Sequence, residues 1–103
     1  MDFKNVLQDM GNAALGELSE NGGEIANYVK QSLEEKKASL QELYGGYKAG
    51  HIDEAGLERE LKRELKVMEV KLLTITVMKK AAAQRAVNAA VDVFKNAVSA
   101  ALP

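Results

Sequence analysis

Apolar residues recur at spacings of three and four along nearly the whole chain, which is the periodicity of amphipathic helices. The first stripe is Phe3, Val6, Leu7, Met10, Ala13, Ala14 and Leu18, with Asp2 standing where an N-cap belongs. It predicts a helix over about residues 2–19, closed by Ser19-Glu20-Asn21-Gly22-Gly23. Gly11 and Gly16 inside it each cost about 1 kcal/mol relative to Ala, so this helix depends on tertiary contacts. A second helix, over about 24–48, carries Ile25, Val29, Leu33, Leu40 and Leu43 on its buried face, and Gly45-Gly46 leaves its last turn deformable.

The following turn has the clearest local physics. Gly50 is placed to end one helix and Asp53 to cap the next, while Ile52 can close on Leu57 as a hydrophobic staple. A helical hairpin follows from these positions. Gly56 occupies the site where a capping box carries Glu.

From Leu57 to Leu102 there is neither glycine nor proline. The pattern here is a heptad, with Leu61, Met68, Ile75, Ala82, Ala89 and Asn96 at one core position and Leu65, Leu72, Lys79, Ala86, Val93 and Ala100 at the other. A second stripe runs beside it through Val67, Val70, Thr74, Val77, Ala81, Val91, Phe94, Val98 and Leu102. One helix over about 53–101 is expected. At roughly 1.5 Å per residue the run would span about 69 Å, and two apolar faces on such a helix require two neighbours. Either the helix breaks or a partner covers it. The first helix is too short to bury both stripes, so a second copy is expected at residues 79–102, with Ile75, Ala82, Ala86, Ala89, Val93, Phe94, Ala97 and Ala100 in the interface. The β-branched stretch from Val67 to Val77 also fits a strand, but no second strand is available to pair with it.

Composition narrows the picture. With 5% aromatic residues, no Trp, and Ala, Leu, Val and Met as the apolar mass, the chain reads as all-α. The absence of Cys excludes disulfides and thiolate metal sites. Residues 1–18 carry no secretory signal pattern, which makes a cytoplasmic location the expectation. The longest uncharged apolar run, Leu72 to Met78, is far short of the roughly 20 residues of a transmembrane segment. Charge is asymmetric: residues 1–29 hold one Lys against Asp2, Asp9, Glu17, Glu20 and Glu24, whereas Lys62, Arg63, Lys66, Lys71, Lys79, Lys80, Arg85 and Lys95 crowd the C-terminal half. These cations lie all around the helix without interleaved aromatics, so nucleic acid is not the expected partner. An acidic N-terminal segment lying beside a basic C-terminal one is.

Candidate chemistry is sparse. His51, the single histidine, sits with Asp53 and Glu54, but a turn residue, a cap and a first-turn acid account for all three. Glu58, Glu60, Glu64 and Glu69 lack the Glu-x-x-His units of carboxylate-bridged metal bundles. Glu58 with Lys62 and Glu60 with Arg63 read as surface pairs instead. No phosphate-binding loop, dinucleotide fingerprint or activated nucleophile is present. No catalytic, metal or cofactor residue is assigned, and the chain is not expected to be an enzyme.

Two likenesses attach to these residues. Leu40-x-x-Leu43, then Gly50-His51-Ile52-Asp53 and Leu57, resembles the helical-hairpin module called SHOCT, which implies an oligomerisation or accessory element; Gly56 stands where that pattern has Glu. Tyr44-Gly45-Gly46 in mid-chain is similar to the WxG family of small secreted hairpin proteins, with Tyr in place of Trp. Neither transfers residues or function. The expectation is an all-α, elongated, dimeric bundle of three helices in a single domain, residues 1–103: a helix, a helical hairpin and a very long C-terminal helix. Its expected role is a non-enzymatic oligomerisation or interaction protein, structural or phage- or secretion-related. The alternative is an amphipathic coat on a lipid or hydrophobic granule surface.

Overall fold

Capping chemistry sets the helix starts. Asp2 Oδ1 accepts from the backbone N–H groups of Lys4 and Asn5, at 3.1 and 3.4 Å. Asp53 Oδ1 accepts from the Gly56 N–H at 2.7 Å. Each bond satisfies a donor that a helix terminus leaves without an intrahelical partner. In a computed structural model that describes residues 2–18, 23–75 and 79–101, five helices result: α1 (Phe3–Gly16), α2 (Gly23–Glu35), α3 (Lys37–Lys48), α4 (Glu54–Ile75) and α5 (Lys80–Ala101).

The hairpin between α3 and α4 forms as its residues dictate. Gly50 adopts φ 80°, the left-handed conformation that closes a helix C-terminus without a β-carbon clash, and His51 N–H donates to the Gly46 carbonyl at 2.8 Å. The helix runs through Gly45 and Gly46 to Lys48. A β-carbon at Gly56 would stand 3.1 Å from Asp53 Oδ1, a tight contact that asks the cap to shift by a few tenths of an ångström. The Asp53 bond to the Gly56 N–H is one half of a capping box, and the reciprocal bond that a Glu at position 56 would return is missing.

Two of the three expected helices are divided. The segment over 24–48 is two helices, separated at Lys36, where the backbone N–H donates to Leu33 O at 3.1 Å in a tightened i to i−3 turn. The very long C-terminal helix is replaced by α4 and α5. Residues 76–78 lie outside the described part. Lys95 Nζ meets Glu58 Oε1 at 3.4 Å, and since Lys95 lies about as far beyond the start of α5 as Glu58 lies before the end of α4, the two helices run antiparallel. The molecule's longest extent is 41 Å and its radius of gyration 13.3 Å, against the roughly 69 Å of an unbroken run and the roughly 13 Å of a compact chain this long. Among the described residues every regular element is helical, and the stretch from Val67 to Ile75 that also fitted a strand belongs to α4.

α5 forms the centre. Phe3 lies 6.1 Å from Phe94 between ring centroids, and Glu17 pairs with Arg85 at 3.8 Å, so α1 runs antiparallel along one side of it. α4 runs along another, and α2 and α3 close the remaining sides of α1 and α4. Ala83, Ala86, Ala90, Phe94 and Val98 are completely buried. The row of alanines lets neighbouring backbones approach closely, and a well-packed core does not absorb extra methylenes without strain. The acidic N-terminal segment therefore lies beside the basic C-terminal one, as its charge suggested. Ala86→Leu is expected to destabilise the fold by about 1–3 kcal/mol in thermal or urea melts, whereas Ala100→Leu, on the exposed end of α5, should change stability by less than about 0.5 kcal/mol.

Candidate functional site

The residues expected to face a second copy divide into three groups. Ala86 and Phe94 are sealed inside this chain, with no solvent exposure. Ala82, Val93 and Ala97 are partly buried and pack on the same core. Ala89 is partly buried and Ala100 exposed, while the Ile75 side chain lies outside what is described. α1 and α4 supply the neighbours that a lone 69 Å helix would have sought elsewhere. The heptad register explains the change. It holds along α4, where Leu61, Leu65, Met68 and Leu72 are all at most 2% exposed. In α5 the buried set becomes Ala83, Ala86, Val87, Ala90, Val91, Phe94 and Val98, because a register read across a chain reversal has no meaning beyond it.

The charged candidates are all engaged in ordinary pairs. Glu58 receives Lys62 at 3.8 Å and Lys95 at 3.4 Å. Glu60 pairs with Arg63, Glu64 with Lys36, and Glu69 with Lys66. His51 is exposed in the turn. Among the described residues, no three His, Cys, Asp or Glu side chains are grouped to hold a metal ion. No helix there is long and apolar enough to cross a membrane.

What stands out is the outer face of α4. Val67 is 61% exposed and Val70 53%, the large hydrophobic side chains left in water among the described residues. They lie three positions apart, with exposed Thr74 one turn further on, so the three share one face. A shallow depression of about 280 Å³ is lined by Lys66, Val67, Val70, Lys71 and Thr74. Val67 also borders a larger groove of about 400 Å³ between α2 and α4, where Tyr28, Leu65 and Met68 contribute apolar lining. One valine thus belongs to both hollows.

The chain matches no family model, no curated protein and no solved structure. The case for a site therefore rests on its own geometry. Val67, Val70 and Thr74 belong to the second apolar stripe read from the sequence, yet they are absent from the expected interface, which placed the uncovered surface in the alanine-rich half. The usable signal was the size of the side chains. Alanines are covered by close helix approach, whereas the two valines, one turn apart beside Lys66, Lys71 and Thr74, stay exposed.

The turn at His51 and Asp53 separates capping from chemistry. Asp53→Ala should lower stability by about 1 kcal/mol, within the range of about 0.5–2 kcal/mol for a lost N-cap. His51→Ala should change it by less than about 0.5 kcal/mol. Urea denaturation of the two variants against the parent chain measures both.

Proposed function

We propose that this chain is a non-enzymatic helical interaction protein, structural or accessory in role, that works by holding a partner on the outer face of α4. The carrying observation is the exposed Val67–Val70 pair beside the α2–α4 groove. Isolated exposed hydrophobes are common on protein surfaces. Two on one face, continuous with a groove floored by Leu65 and Met68, form a patch of the kind that marks a contact. The other face of α4 is locked into the core by Leu61, Leu65, Met68 and Leu72, so the helix presents the patch on a rigid support.

A second copy was expected because the alanine-rich half of an unbroken helix had no cover. With α5 covered by α1 and α4, a self-association surface is sought on α4 instead, and sedimentation equilibrium at tens of micromolar measures it. The surface-coating alternative loses its aromatic anchor, since Phe94 is fully buried and interfacial helices commonly rely on Trp, Phe and Leu.

The reading is tested with a photo-crosslinking residue at Thr74 and, as a control, at exposed Asn88 on α5. In the native cell, position 74 is expected to give a discrete adduct that disappears in the Val67→Lys/Val70→Lys chain, while that chain keeps its helicity and its melting temperature within about 2 °C. Equal adduct patterns from positions 74 and 88, or an adduct indifferent to the valine changes, would reject it.

A further inference from the structure

We infer that the occupant of the α4 face is an acidic amphipathic helix of a different protein, a conclusion that rests on the interaction reading above. The flanks of the valine pair are cationic. Lys71 lies one turn beyond Val67 and Lys66 one turn before Val70, so a lysine brackets each side of the apolar ridge. Lys71 is exposed and makes no ion pair among the described residues. Lys66 Nζ donates to Glu69 Oε2 at 2.6 Å but keeps 58% of its side chain in solvent. Glu69, between the two valines in sequence, is 6% exposed and spent on that bond, and Glu60, two turns before Val67 on the same face, is paired with Arg63 at 3.6 Å. The charge offered to an incoming surface is therefore positive. Of the acids lining the neighbouring groove, Glu64 is held by Lys36 at 3.4 Å and only Glu35, across the groove on α2, is exposed.

This arrangement argues against a second copy. An antiparallel pair that seats Val67 of one chain on Val70 of another sets Lys66 against Lys71, and a parallel pair sets each lysine against its own equivalent. Like charges so placed oppose association. A lipid surface gains little, because two half-exposed valines and a threonine offer a small area to bury. A partner helix with apolar residues at i, i+3 or i+4 and i+7 matches the spacing of Val67, Val70 and Thr74, and Asp or Glu beside them matches the lysines.

The test uses the full chain and two designed helical peptides of equal length, each with Leu at i, i+3 and i+7; one flanks the leucines with Glu, the other with Lys. Amide resonances of the isotopically labelled chain report binding. The Glu peptide is expected to shift residues 66–74, with affinity falling at least roughly tenfold in Lys66→Glu/Lys71→Glu and in Val67→Lys/Val70→Lys, and falling further as salt is raised from about 0.05 to 0.5 M. The Lys peptide is expected to leave those resonances in place. Binding of both peptides equally at residues 66–74 overturns the acidic partner but leaves the interaction face standing. Concentration-dependent dimerisation lost in Val67→Lys/Val70→Lys does the same in favour of a second copy. Recruitment to phosphatidylserine vesicles through this face, without peptide binding, overturns it in favour of a membrane. No perturbation of residues 66–74 by either peptide overturns it outright.

Discussion

Everything in this fold follows from the need to cover α5 on two sides. Its buried set runs from Ala83 to Val98 at helical spacing, and its alanines contribute little surface individually. Such a helix gains stability only where a neighbouring backbone comes close enough for many small contacts to add up. α1 and α4 meet that demand from different sides, both antiparallel to α5. The longer side chains then occupy the joints, with Met10 and Phe94 fully buried and Phe3 packed against Tyr44 and Phe94. α2 and α3 have a secondary part, since they cover the sides of α1 and α4 that α5 does not reach.

How much of this was legible depended on range. Signals contained within a few residues read correctly: Asp2 and Asp53 as caps, Gly50 as a helix stop and Leu61, Leu65, Met68 and Leu72 as a seam. Each rests on local hydrogen bonding or periodicity, which a sequence displays directly. The two divided helices have no Gly or Pro at the division. At Lys36 the neighbours are charged helix formers, and the break is one tightened turn beside a cross-helix pair between Lys36 and Glu64. α4 ends at Ile75, inside the β-branched run from Val67 to Val77 whose local sign was a resemblance to a strand. Tertiary packing made both decisions, and a window along the chain does not contain it.

The expectation of an interface at residues 79–102 came from the same source. Extending the heptad from Leu61 to Ala100 treated residues 79–102 as the continuation of one surface, and the alanines then looked uncovered. Folding back puts Ala83, Ala86 and Ala90 inside. Covering α5 with α4 uses the leucine and methionine face of α4 and leaves Val67 and Val70 of its second stripe outside. Val67 and Val70 are exposed for the same reason that Ala86 and Ala90 are buried.

That link constrains how the exposed pair can be understood. α4 could have had a uniformly charged outer face at no cost to its seam, since Val67 and Val70 make no part of the buried core. Valine is also a poorer helix former than Ala, Leu, Glu or Lys, by a few tenths of a kcal/mol at each position. Fold stability therefore gives no reason for two valines there, and a lysine stands on either side of them. The surface is apolar along its ridge, bordered by Lys66 and Lys71, and backed by the buried seam on the opposite face of α4.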